Sequence, residues 1–268
     1  MPINTMKDPL VRAILRLRQR SDRDRTGMFY TEGVRFIAEA VAANACIEQL
    51  VIAPRMLASP YGQKLVRQFR RMGKQVLEVT TEVFEGLSFS EAPQGIGAVL
   101  PQRWDTLSSL RPDRALCWVA HETVNSPGNL GTILRTSDAV GGGGAILLGR
   151  DVDPYDPSVI RATMGALFTQ KFVRAGLKEL KQWKQRENVM LVGTSPDAPN
   201  DYREICYRGP VVLFMGCERK GLSEDRQAMC DALVRIPMVG RADSLNLAVA
   251  TGVLLYEVFR QKSNWEAR

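Results

Sequence analysis

Apolar positions recur at helical spacing in residues 9–19, through Leu10, Ile14 and Leu17, and again in 32–43, through Val34, Ile37, Ala38 and Val41. This period predicts two amphipathic helices. Short apolar or β-rich runs at 47–52, 75–79 and 96–100 predict strands. Between them, 61–72 reads as a basic helix and 81–87 as a short one. The first hundred residues therefore read as an αβαβα arrangement, long enough for its own core. Residues 101–114 hold two prolines, two serines and no periodicity, which is linker chemistry. Downstream, strand candidates at 115–120, 145–148, 189–193, 211–215 and 233–236 alternate with helix candidates at 129–140, 157–167, 176–187, 223–230 and 244–262. Such alternation implies an α/β domain with a mostly parallel sheet, helices on both faces, and ligands outside the carboxyl ends of the strands. The expected division is 1–105, a linker at 106–114, and 115–268.

Composition narrows the class. The 268 residues are 45% hydrophobic and 24% charged, with a mean hydropathy of −0.15, which is globular rather than disordered. No run approaches the ~18 apolar residues of a membrane span. The amino-terminal stretch has no apolar core of a secretory signal. Five cysteines, an odd number without a CxxC pair, fit a reducing cytoplasm. A single histidine, His121, excludes a multi-histidine metal site and leaves only one route for a Ser-His-Asp triad. No metal is expected.

The net charge is +7. Residues 1–111 carry 16 basic and 11 acidic side chains, and the remainder 20 and 18. The excess gathers in Arg12, Arg16, Arg18, Arg20, Arg23 and Arg25, and again in Lys64, Arg67, Arg70, Arg71 and Lys74. Each cluster is a candidate polyanion-binding face or a solvated helix face.

Three segments carry candidate chemistry. Residues 125–135 (NSPGNLGTILR) follow a strand and open a helix that Asn129 is placed to cap. A helix amino terminus favours an anion. The dinucleotide fingerprint GxGxxG is absent, and Gly141–Gly144 come after a helix and before a strand, the wrong order for it. Residues 211–223 end a buried strand in Gly216, followed by Glu218, a basic pair, Gly221 and a capping Ser223. In 234–252, Pro237 ends a strand, and Asp243 or Ser244 is placed to cap the final helix. Asn246 in its first turn is a poor helix former and reads as functional.

In this order the segments resemble the motifs of the SpoU/TrmH family of RNA ribose 2′-O-methyltransferases, within the SPOUT superfamily. The pattern Asn-x-Gly-x-x-x-Arg stands at Asn129, Gly131 and Arg135; Gly-x-Glu at Gly216 and Glu218; and Ile236, Pro237, Met238, Gly240, Ser244, Leu245 and Asn246 run on to Tyr256 and Glu257. Residues 153–168 are also similar. Together the matching stretches span about 116–260. Glu32-Gly33 and 92–98 resemble a substrate-binding domain similar to ribosomal proteins that bind kinked RNA. His121 fills a slot usually apolar in the family, and Ala248 replaces a small polar residue.

The resemblance implies a deep trefoil knot, a fold element that periodicity never suggests. It also implies a homodimer through the second domain and S-adenosylmethionine bound beside Thr194, Gly216, Ile236, Met238 and Leu245. The reaction implied is attack of a ribose 2′-hydroxyl on the sulfonium methyl group. Arg135 is the family's catalytic residue. A guanidinium stays protonated in proteins, so its expected role is to stabilise the developing alkoxide and hold the adjacent phosphate. Asn129 and Asn246 would position Arg135 and the ribose, Glu218 would hold the cationic network, and Ser244 would cap the helix and touch ligand. Arg12, Arg16, Arg18, Arg20, Arg23 and Arg25 would grip RNA phosphates. Ribosomal RNA of the 23S type is favoured over tRNA because of the first domain. The alternatives are a tRNA 2′-O-methyltransferase and a catalytically silent RNA-binding or ribosome-assembly factor.

Overall fold

A computed structural model describes residues 1–149, 152–216 and 221–266, without the side chains of 264–266. The chain forms two compact units, one of Met1–Gln102 with Tyr155–Phe168, the other of Arg103–Pro154 with Thr169–Arg268.

The first unit holds helices α1 (Pro9–Arg16), α2 (Arg20–Thr26), α3 (Val34–Ala42), α4 (Pro60–Arg71) and α5 (Thr81–Leu87), with strands β1 (Met28–Glu32), β2 (Gln49–Ile52), β3 (Gln75–Glu78) and β4 (Ile96–Pro101). The strands form one sheet in the order β1-β4-β2-β3. β4 runs antiparallel to both neighbours, and β3 parallel to β2. Local chemistry sets the helix starts. Asp8 accepts from the amides of Leu10 and Val11 with Pro9 at the first helical position, and Ser59 accepts from Gly62 with Pro60 behind it. Val11, Ile14 and Leu17 then bury the apolar stripe of the amino-terminal segment against Val83, Phe84 and Leu87. The sequence reading missed β1, whose burial is continuous only at Phe29, Tyr30 and Thr31.

Helix α7 (Pro157–Thr163) belongs to this unit, although the sequence reading grouped it with 115–268. The ring of Tyr155, which is buried, lies 4.8 Å from that of Phe29. The burial of both rings outweighs chain order.

The second unit holds β5 (Trp118–His121), α6 (Pro127–Ala139), β6 (Gly144–Leu147), β7 (Lys171–Arg174), α8 (Leu177–Arg186), β8 (Met190–Thr194), β9 (Asn200–Asp201), β10 (Val211–Met215), α9 (Glu224–Gln227), β11 (Ala232–Arg235) and α10 (Leu247–Glu266). Its seven strands lie in the order β7-β6-β5-β10-β8-β11-β9. Every pairing is parallel. The apolar residues of the central strands β5, β6 and β10 are all buried, as a sheet covered on both faces requires. β7 and β9 escaped the sequence reading, being four and two residues long with polar ends. The segment expected as a linker carries two short 3-10 turns, at Leu107–Ser109 and Pro112–Arg114, and buries Leu110 in this unit's core. Gly144 (φ +136°) is where the backbone touches its neighbour: a Cβ there would lie 2.0 Å from the carbonyl oxygen of Lys171.

His121 ends β5, fully buried, and neither ring nitrogen has a hydrogen-bond partner among the described residues. Burial pushes its pKa down to about 4. Unfolded chain titrates near 6.5 and binds more protons in between, so stability is complete above pH 6.5 and falls as the pH drops toward 4. The loss between pH 7 and pH 5 is about 2 kcal/mol. Melting curves of the wild type and His121→Leu at the two pH values check this; an equal drop in both would contradict it.

Candidate functional site

Three parallel strands of the second unit, β8, β10 and β11, end side by side. Beyond their carboxyl ends opens a cleft of about 580 Å³. That is where a parallel α/β sheet places a ligand, and the volume suits a small-molecule cofactor. Thr194 closes β8, Gly216 follows β10 and Ile236 follows β11, and all three line the cleft. Met238, Ser244 and Leu245 complete it from the loop that leads to α10. Met238 and Leu245 are 36% and 38% exposed, a large apolar area for a loop, and they form an apolar wall.

Ser195, Asp197, Gln227 and Asp243 also line the cleft, and the sequence reading did not name the first three in any role. Ser195 and Asp197 follow directly after a strand's carboxyl end, which is the signal that could have found them. Gln227 on α9 carried none. The donor set of polar side chains, loop backbone and apolar wall fits a nucleoside-type cofactor with a charged tail. Gly216 is required here by close approach: a Cβ would stand 2.3 Å from the backbone carbon of Gly221 and 2.5 Å from the nitrogen of Leu222.

Helix α10 begins at Leu247, three residues later than expected. Asn246, not Asp243 or Ser244, is its cap, its Oδ1 accepting from the amides of Ala248 (2.9 Å) and Val249 (3.3 Å). Its Nδ2 donates to Oδ1 of Asn129 at 3.0 Å. One amide thus joins the starts of α6 and α10. Asn129 is correspondingly not a cap: α6 starts at Pro127, and Asn129 sits inside its first turn. Ser244 lies exposed in the cleft wall. Ser223 caps nothing with its side chain; its hydroxyl accepts from Arg226, which also pairs with Glu122.

Arg135 is exposed on α6 and is not among the cleft's lining residues. The structure brings Asn129 to Asn246, but brings neither to Arg135 by any hydrogen bond among the described residues. Glu218 lies outside the described residues. Two thiols of this unit are silent, since burial pushes Cys117 and Cys230 up to about 12.

The arginine cluster of the first unit divides. Arg12 and Arg16 are exposed on α1. Arg18 donates to the carbonyls of Gly86 and Ser88, both at 2.9 Å, and its guanidinium lies 4.8 Å from the Phe89 ring centroid. Arg23 is 2% exposed and donates to the carbonyls of Leu17 and Arg18. Arg20 and Arg25 pair with Asp24 and Asp22. The expected RNA role of Arg23 is thus corrected: its buried guanidinium closes the turn between α1 and α2 and pairs with Asp156 at 3.8 Å.

The comparisons with known proteins agree with this geometry. Residues 117–256 match the model of the SpoU rRNA Methylase family, and 8–98 that of the MRM3-like substrate binding domain. A 23S rRNA (uridine(2479)-2′-O)-methyltransferase of Streptomyces viridochromogenes is 32% identical over 252 residues, covering 92% of this chain and 87% of the relative. The 23S rRNA (guanosine(2553)-2′-O)-methyltransferase RlmP of Bacillus subtilis is 25% identical over 96% of this chain and 98% of its own. The AdoMet-bound rRNA methyltransferase of Sinorhizobium meliloti has the same fold, with a TM-score of 0.88, 37% identity and 97% of each chain covered. With the cleft at the strand ends, the Asn129–Asn246 bridge and a match over more than half its length, the chain belongs to the SpoU rRNA Methylase family.

Proposed function

We propose that the protein transfers a methyl group from S-adenosylmethionine to a ribose 2′-hydroxyl of 23S-type ribosomal RNA. The observation that carries this reading is the cleft at the ends of β8, β10 and β11, built from the family's motif residues. S-adenosylmethionine supplies an electrophilic methyl group when bound. Thr194, Gly216, Ile236, Met238 and Leu245 would hold it, the apolar side chains against its adenine and the loop backbone around its polar atoms. Relatives of this length that act on 23S rRNA, together with the MRM3-like domain, favour ribosomal RNA over tRNA.

In this reading Asn246 and Asn129 hold the two helix starts in register and place the ribose. Arg135 donates to the developing alkoxide and to the adjacent phosphate, which takes the proton. A guanidinium is a poor base and a good oxyanion partner. Arg135 does not line the cleft of its own protomer, which supports assembly of the full site in a homodimer. The surface for that assembly is the side of α10 that exposes Val249 (53%), Tyr256 (54%) and Phe259 (42%). These positions fall within about 80° on a helix. Such an apolar stripe is otherwise costly in water.

The test is genetic and chemical. Ribosomal RNA from cells lacking the gene should lose one 2′-O-methylnucleoside by mass spectrometry, and the purified protein should sediment as a dimer. An unchanged nucleoside profile would overturn the assignment, and a monomer would overturn the shared site.

A further inference from the structure

Helix α4 buries Gly62, Leu65, Val66 and Phe69 on one side. At 100° per residue, Lys64, Arg67 and Arg71 fall within about 60° of one another on the opposite side, spread over about 10 Å. Lys74 continues the row just past the helix, its backbone amide held by the carbonyl of Phe69. All four are exposed, and none of their side chains has an ion-pair or hydrogen-bond partner among the described residues. Arg70, by contrast, is paired with Glu78. No acidic residue lies anywhere in α4.

Folding does not explain this row. Cations at a helix carboxyl terminus favour the dipole, which accounts for Arg71. Lys64 and Arg67 lie mid-helix, and Lys64–Arg67 and Arg67–Arg71 are like-charge neighbours at three and four residues, an arrangement that weakens a helix. Four of the six residues of the other arginine cluster are engaged inside the first unit, whereas these four cations stand together in one row. Tyr61, 48% exposed, stands at the amino-terminal end of the row with a ring able to stack on an unpaired base.

We propose that the outer face of α4 is a sequence-independent docking strip for the phosphate backbone of structured RNA, engaged by Lys64, Arg67, Arg71 and Lys74. This rests on the reading of the protein as an RNA-modifying enzyme. A strip of positive charges without ion-pair partners among the described residues matches a polyanion and carries no base readout. It would fix the orientation of the RNA, leaving choice of the nucleotide to other groups.

The test is the salt dependence of binding to a 23S ribosomal RNA transcript between about 50 and 200 mM salt, the range in which phosphate contacts dominate. The triple variant K64Q/R67Q/R71Q should flatten the slope of log K against log salt by about 2 to 3, at ~0.7–0.9 per phosphate contact. Its melting temperature should not fall, because like charges have been removed, and its S-adenosylmethionine binding should not change. Gln68→Lys, on the exposed side of the same helix, should steepen the slope by about 1. Slopes unchanged in both variants, with wild-type binding intact, would overturn the strip alone. A wild type that binds the transcript without salt dependence would overturn the strip and count against the RNA reading as well. Adsorption to phosphatidylserine vesicles that the triple variant loses, while its RNA slope stays put, would overturn it in favour of a lipid surface.

Discussion

Replacing Arg135 by lysine should lower the rate of ribose methylation by about a hundredfold or more, the cost of losing one oriented donor to an oxyanion. The positive charge survives this change; the planar fork does not. A fork can donate to the alkoxide and to a neighbouring phosphate oxygen together, whereas an ammonium on a flexible stem serves one at a time. Arg135 is exposed and outside the lining of the cleft, so the same variant should bind S-adenosylmethionine as the wild type does and melt at the same temperature. Single-turnover rates beside calorimetric titration of the cofactor separate the two effects. Near-normal turnover in the lysine variant would show that charge alone suffices and would end the orientation argument.

Gly216→Ala should cost both cofactor binding and stability. The added methyl would meet the backbone carbon of Gly221 at 2.3 Å and the nitrogen of Leu222 at 2.5 Å. Neither is the far end of a side chain that can rotate away. Either the loop shifts, or β10 is pulled out of register with β5 and β8, its partners in the middle of the sheet. Overpacking of this kind costs about 1–3 kcal/mol. Gly216 lines the cleft, so the same shift should weaken cofactor affinity by about tenfold or more, equivalent to ~1.4 kcal/mol. Thermal melting and titration calorimetry check the pair. A variant that melts and binds like the wild type would contradict the close packing at this turn.

Much of the second unit was legible because a buried parallel strand leaves a dense apolar run. Residues 211–215 were read with the bounds the structure has. Strand β7 was not, because Lys171 and Arg174 bracket only two buried residues and its partner β6 lies more than twenty residues away. The place of the cleft follows from a topological rule, but Thr194, Gly216 and Ile236 were singled out by the family resemblance. Gln227 was not, since nothing near it in the chain points to a ligand. The choice of helix cap among Asp243, Ser244 and Asn246 depended on a partner 117 residues away, Asn129.

The arginine run illustrates the same limit more sharply. Six like charges within fourteen positions look equivalent as sequence. Arg18 finds the carbonyls of Gly86 and Ser88, and Arg23 turns back on its own chain. Arg18 depends on acceptors far along the chain; Arg20 and Arg25 pair with acids four and three residues away, a spacing already visible in the sequence. Helix α4 was more legible, for Lys64, Arg67 and Arg71 share one face and the helix itself holds no acid, although Glu78 beyond it takes Arg70.

The central claim is that the protein methylates ribosomal RNA at the ribose. It is tested most directly by incubating the purified protein with labelled S-adenosylmethionine and unmodified 23S ribosomal RNA or, separately, tRNA, then resolving the nucleosides by mass spectrometry. The account predicts label in a 2′-O-methylnucleoside of the ribosomal RNA and none in tRNA. Label on a base, label confined to tRNA, or a protein that binds the cofactor and labels neither RNA would contradict it.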